Sequence, residues 1–242
     1  METLTRKQRE IQERERRILS LARPVLVKEG YQALNMERLA AEMEYAKGTL
    51  YNHFPNKEEI VVALAIESLE IRRQMFEFAA TQVVESRLRM TAIGCACDLY
   101  ATQFGQHFAV EQMLRNVAIW EKSSGKSQNL IQQCELRCMS VVSGVVRDAL
   151  ARGDLEIPEF MQPEELVFGF WALTYGTHAL IATSPSLPDI GVREPVRSMR
   201  YHAWTLMNGY RWSPLISFEE VEAVMEKLSE GIVQHVASND SQ

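Results

Sequence analysis

An all-α fold is predicted by three features of this 242-residue chain. Apolar residues recur at helical spacing along most of its length, period-two alternation is scarce, and the breaks fall at Gly, Pro and Ser runs. The pattern gives nine or ten helices: three small ones in an N-terminal helix-turn-helix domain over residues 1–60, and the rest in a larger helical domain over residues 61–242. A hydrophobic content of 46% supplies enough material for a core. No uninterrupted stretch of 18 or more apolar residues is present, so no membrane span is expected. The stretch Met1–Arg17 is charged and lacks the apolar segment of a secretory signal, which predicts a cytoplasmic protein.

The elements follow in order. Ile18, Ala22 and Val25 mark a first helix that ends at Gly30, with a kink or restart expected at Pro24. Asn35 is placed to cap a short helix over 36–43 that turns Leu39 and Ala40 inward. A corner at Glu44–Tyr45 leads to a second short helix over 46–53, stopped by Pro55. Asn56 and Glu59 have the spacing of a capping box for the next helix, which runs towards Phe78. Further helices are expected near 85–104, 107–121, 126–152, 163–183, 193–212 and 217–236, the last with Phe218, Val221, Met225, Leu228 and Ile232 on one stripe.

Two short helices joined by a tight corner and preceded by a scaffold helix are the plan of a helix-turn-helix. Such a motif inserts the exposed N-terminal end of its second helix into the major groove of double-stranded DNA. Lys47, Gly48 and Thr49 occupy that end: glycine permits close approach, and the other two carry donors for phosphates or base edges. Leu50 and Phe54 should face the core, leaving Tyr51, Asn52 and His53 beside the groove, while Lys57 combines its charge with the free N–H groups of a helix start. The net charge of −6 argues against nucleic acid until the chain is divided. Residues 1–57 hold 11 Lys/Arg against 8 Asp/Glu, and residues 58–242 hold 15 against 24, a basic head on an acidic remainder.

The run Lys47-Gly48-Thr49-Leu50-Tyr51-Asn52-His53-Phe54-Pro55-Asn56-Lys57, with Leu39-Ala40, Arg16-Arg17-Ile18-Leu19 and Glu29-Gly30-Tyr31 upstream, resembles the tetracycline-repressor (TetR) family of bacterial regulators. The likeness covers residues 14–62. It implies a homodimer reading a palindromic operator, and a variable body that binds a small-molecule effector. By that likeness Lys47, Gly48 and Thr49 lie nearest the bases, Asn52 lies beside the groove, Tyr51, His53 and Lys57 hold phosphates, and Asn35 caps its helix near the DNA backbone. The chain departs from the family at the corner. Met43-Glu44-Tyr45-Ala46 stands where Ala-Gly-Val-Ser is usual, so a glycine suited to a left-handed conformation and a capping serine are both replaced. An irregular turn is expected there.

Within 163–183, Gly169, Ala172, Gly176 and Ala179 form a small-residue stripe, either a seam of the dimer or packing inside one subunit. Phe168, Trp171, Tyr175 and His178 run beside it. Phe104, His107, Met113, Trp120, Trp171, Tyr175 and His178 are the candidates for an effector pocket, which their chemistry suits to an apolar or aromatic ligand. Cys95, Cys97, Cys134 and Cys138 lack the spacing of a metal site and are assigned to the core. No nucleophile elbow, phosphate loop or His-Glu-x-x-His is present, so neither an enzyme, a cofactor nor a metal is expected. The expected function is a ligand-released repressor; control by a protein partner or by dimerisation alone is the alternative.

Overall fold

The computed structural model describes residues 5–239, which form eleven α-helices and one 3-10 turn, with no strand among the described residues. The helices are α1 (Arg6–Glu29), α2 (Met36–Glu42), α3 (Lys47–His53), α4 (Lys57–Thr81), α5 (Ser86–Gln103), α6 (Gly105–Met113), α7 (Val117–Lys122), α8 (Gly125–Arg152), α9 (Pro163–Thr183), α10 (Pro195–Gly209) and α11 (Phe218–Asn239). The eleventh arises because the single helix expected over 107–121 is two. The chain turns at Leu114–Asn116, and the Asn116 side chain accepts the Ala118 N–H at 3.0 Å to start α7.

Helix α1 opens with a capping box between Thr5 and Gln8 and runs unbroken through Pro24, without the restart expected there. A proline inside a helix costs about 3 kcal/mol. On either side of it Ile18, Leu19, Val25 and Leu26 are buried. Each such side chain contributes roughly 1.5–3 kcal/mol, so packing outweighs the lost backbone bond.

Two compact units are present. In the first, the chain up to Leu69 is joined by Gly105–Cys134. Its core gathers Ile18, Leu26, Leu39, Leu50, Ile60 and Leu64 with Val110 of α6 and Ile119 of α7. The start of α4 is tied to α7 and α8 by polar contacts. Asn56 accepts the Glu59 N–H at 2.8 Å, but the Glu59 carboxylate does not return to close a capping box. It instead accepts the Ser124 N–H at 2.6 Å and the Ser127 hydroxyl at 2.5 Å, at the beginning of α8.

The second unit comprises Glu70–Phe104 and the chain from Glu135 onward. Helix α5 is its axis, with Met90, Ile93, Cys95, Ala96, Leu99 and Tyr100 buried and α9, α10 and α11 packed around it. Phe218, Val221, Met225 and Ile232 are buried along α11 as their spacing predicts. Arg87 is wholly buried near the start of α5, donating to the Trp212 carbonyl and the Asn208 side-chain oxygen at 2.6 Å each. Its charge has no carboxylate partner among the described residues, and burial lowers its pKa.

Cys95, Cys134 and Cys138 are buried and Cys97 is half-buried. Burial pushes the Cys95 thiol up to about 11, which keeps it protonated and unreactive. Helix α9 is apolar enough over 18 residues, at a mean hydropathy of 1.3, to match a membrane span by length and composition, although no purely apolar stretch of that length exists. Its neighbours α5 and α10 and the buried His178 on it show that part of this apolar surface serves internal packing.

Candidate nucleic-acid interface

The head is built by caps and by one corner. The Asn35 side chain accepts the N–H groups of Glu37 (2.8 Å) and Arg38 (3.2 Å), two of the donors a helix start leaves unpaired. Helix α2 ends at Met43, and Glu44 takes a positive φ of 56°. The Tyr45 N–H reaches back to the Ala40 carbonyl at 2.9 Å and the Glu44 N–H to that of Ala41 at 3.1 Å. These two bonds make a complete Schellman motif. The corner is therefore regular, contrary to the irregular turn expected from Met43–Ala46. The left-handed geometry is kept with a glutamate in it, at about 1 kcal/mol. Ala46 provides no side-chain cap for α3, so one stabilising bond is absent there.

Helix α3 is seated by its apolar positions. Leu50 is wholly buried and Phe54 nearly so, as expected. That orientation turns Lys47, Gly48, Tyr51 and Asn52 to solvent and leaves Thr49 half-buried. A β-carbon at Gly48 would meet nothing within 4 Å, so neither packing nor backbone conformation in the free chain calls for glycine at this helical position. Lys47, 63% exposed, pairs with Glu37 of α2 at 2.5 Å, which raises its pKa. Tyr51 is 43% exposed.

His53 differs from its neighbours. Its side chain is only 9% exposed, with Nδ1 3.3 Å from Glu15 of α1. Lys57 lies 4.1 Å above the Tyr31 ring and donates to the Tyr31 carbonyl at 3.2 Å. Burial and the adjacent Glu58 carboxylate push the Tyr31 hydroxyl up to about 12, so the ring under Lys57 stays neutral. Sequence reasoning did not place Glu37 and Glu15 beside Lys47 and His53; both carboxylates belong to other helices.

Residues 18–64 match the family described as bacterial regulatory proteins, tetR family, a span containing all of α2 and α3. That likeness covers the head and not the rest of the chain. Among curated proteins, this chain is similar to the fatty acid metabolism regulator protein of Bacillus subtilis, at 21% identity over 186 residues, covering 72% of this chain and 91% of that one. Among solved structures, a bacterial regulatory protein in the tetR family from Rhodococcus RHA1 superposes with a TM-score of 0.63 at 16% identity, covering 82% of this chain and 97% of that one. The regulator AibR, solved with isovaleryl coenzyme A and operator DNA, superposes with a TM-score of 0.54 at 20% identity, covering 69% of this chain and 86% of that one. The fold of the chain is that of these structures.

Beyond the head, the candidates named from sequence fall into two groups. His107, Met113 and Trp120 lie in the first compact unit, and Phe104, Trp171, Tyr175 and His178 in the second. Met113 packs on the head core, Trp120 on a cluster around Leu69 and Ile131. His107 Nδ1 lies 2.9 Å from Nη1 of Arg23 on α1 and 3.1 Å from the Ser68 hydroxyl on α4. A guanidinium only donates, so Nδ1 accepts and the ring proton sits on Nε2. Burial and the Arg23 charge depress the His107 pKa to about 4. Arg23 also holds Glu67 at 2.6 Å, so α1, α4 and α6 meet in one polar cluster.

His178 is buried, its Nε2 3.0 Å from Asp98 of α5, and the other Asp98 oxygen accepts from Arg200 of α10 at 2.6 Å. Asp98 and Arg200 were missed in the sequence. Asp98 carried the clearer signal, being the one charge among apolar residues between Met90 and Tyr100. Trp171 makes edge contacts with Phe168 (6.1 Å) and Tyr175 (6.4 Å) along α9. The small-residue stripe faces outward: Gly169 and Ala172 are exposed, Gly176 and Ala179 half-buried. A β-carbon at either glycine would meet nothing within 4 Å.

Proposed function

We propose that the chain is a homodimeric repressor whose two heads bind half-sites of a palindromic operator and are released by a small-molecule effector. The observation that carries the DNA-binding half is the face of α3. Leu50 and Phe54 lock the helix while Lys47, Gly48, Thr49, Tyr51 and Asn52 stay at the surface, including a glycine for which the free chain has no packing use. In this reading Lys47, Gly48 and Thr49 approach the bases, Tyr51 and Asn52 lie alongside, and Lys57 and the capped start of α2 at Asn35 hold phosphates. His53 positions α3 through Glu15 and meets a phosphate at its exposed edge. The functional division falls near residue 60, with reading before it and effector binding and dimerisation after it. A chain working on chromosomal operators acts in the cytoplasm, and no catalytic step is required of it.

Dimerisation is assigned to α9, whose outward stripe Gly169, Ala172, Gly176 and Ala179 lies beside Phe168 (59% exposed) and Leu180 (54% exposed). The absence of any close neighbour at the two glycines favours a seam with a second copy over packing inside one subunit. The effector site is assigned to the second compact unit, where Phe104, Trp171, Tyr175 and His178 offer aromatic surface and the Asp98–Arg200 pair offers polar anchors; His107, Met113 and Trp120, in the first unit, are candidates for contacts of their own. Effector binding then favours a body conformation that misplaces the heads, a shift of populations that weakens operator affinity.

The test is binding of the purified chain to the DNA upstream of its own gene, followed by fluorescence anisotropy with and without acyl-CoA thioesters. Those are the first ligands to try, given the name of the curated relative and the ligand of AibR. Sequence-specific binding weakened by one of them is the expected result. Specific binding that no metabolite weakens overturns the effector half, and reproducible turnover by the purified chain overturns the non-enzymatic reading.

A further inference from the structure

The positive charge of the head is concentrated away from its helix-turn-helix. Residues 18–57 hold five Lys/Arg against four Asp/Glu. In the folded chain Arg23, Arg38 and Lys47 are in ion pairs with Glu67, with Glu29 and Glu42, and with Glu37. Lys57 is held on the Tyr31 carbonyl. Three of the five cations are thus paired before any DNA arrives, leaving Lys28 and Lys57 outside ion pairs among the described residues.

Helix α1 behaves differently. Its first buried residue is Ile18, so residues 6–17 stand outside the core. That segment carries six Lys/Arg and three Glu. Glu10 is taken by Arg6, and Glu15 is engaged with His53. Lys7, Arg9, Arg14, Arg16 and Arg17 are exposed and have no ion-pair partner among the described residues. Twelve helical residues span about 18 Å at 1.5 Å each. The Glu15–His53 contact marks where α1 passes the end of α3, so the residues before it project beyond α3. They also precede residue 18, where the family match begins.

We propose that residues 6–17 are a basic helical arm that lies along the phosphates of duplex DNA beside the groove occupied by α3, and that it supplies most of the salt-dependent affinity of the chain. The proposal rests on the DNA-binding reading of the head. Charge complementarity supports it: duplex DNA presents about one negative charge per 1.7 Å of axis, a dense match for five unpaired cations on an 18 Å helix. The acidic remainder of the chain, 15 Lys/Arg against 24 Asp/Glu over residues 58–242, repels DNA and makes a dedicated source of attraction necessary.

The experiment compares wild type with the full-length triple variant Lys7→Gln/Arg9→Gln/Arg14→Gln. Binding is measured on the upstream duplex and on a random-sequence 30-bp duplex between 50 and 200 mM KCl. Each lost phosphate contact lowers the slope of log affinity against log salt by about 0.9, so a fall of about 2–3 per bound protomer is expected on both duplexes, with unchanged circular dichroism. The charge-conserving variant Arg9→Lys/Arg14→Lys is expected to keep the wild-type slope. Wild type binding DNA while the triple variant shows an unchanged slope overturns the arm and leaves the reading of α3 intact. Wild type binding no duplex at 50 mM KCl overturns both. Loss of binding to anionic lipid vesicles with an unchanged DNA slope assigns the arm to a membrane surface and likewise overturns the proposal.

Discussion

Helices α3 and α9 both present surface that the single chain does not use, but in opposite chemistries. The exposed side of α3 is short, polar and basic, with a glycine at its tip, whereas that of α9 is three times as long and apolar, with glycines along its middle. In each case the glycines have no close neighbour within the chain. The difference teaches which partner each face fits. Polar donors and a bare backbone suit a hydrated, charged duplex, because such groups lose little by staying wet until the duplex arrives. A broad apolar stripe with small residues suits a second protein backbone, where removing water from carbon is the driving force.

The largest effect that breaks this comparison is on α9. Phe168→Glu/Ala172→Glu places two charges in the proposed seam and is expected to weaken self-association by roughly 100-fold or more, measured by sedimentation velocity. A variant that remains dimeric at micromolar concentration removes α9 from the interface. On α3, Lys47→Ala and Tyr51→Ala are each expected to cost about 1–2 kcal/mol of operator affinity, roughly a tenfold loss by anisotropy. Unchanged affinity in both would end the assignment of the reading face. Gly48→Ala separates folding from function because its two effects have opposite signs. It should raise stability to denaturant by about 1 kcal/mol through helix propensity, yet weaken operator binding by crowding the approach. If binding survives intact, the glycine is not at the DNA. The smallest effect expected is at the corner. Glu44→Gly should gain up to about 1 kcal/mol by relieving the positive φ, read as a higher denaturant midpoint; a lower midpoint would mean that the glutamate is unstrained.

The parts of this molecule legible in the sequence are those set by neighbours a few residues apart. Asn35 as a cap, Leu50 and Phe54 as the seat of α3, and the extent of α9 follow from local spacing. The turn at Leu114–Asn116 escaped because it contains neither glycine nor proline, and Asn116 alone marked it. The corner was misjudged for a different reason. Residue type pointed to an irregular turn, but the Schellman bonds at the end of α2 keep the backbone regular there. The polar clusters were beyond reach in principle: Asp98 meets partners 80 and 102 residues away, and Arg23 meets His107 across 84. Their members are ordinary residues until the fold brings them together.

The Glu59 carboxylate, at the start of α4, also holds the start of α8 through Ser124 and Ser127. Together with Val62 and Leu69 packed on Ile131 and Cys134, this carboxylate joins the first halves of two long helices. Loss of the carboxylate in Glu59→Ala is therefore expected to loosen both helix starts at once, read as faster amide exchange at the beginnings of α4 and α8. Because α4 begins only four residues after α3 ends, the start of α8 is tied to chain within a few residues of the exposed face of α3.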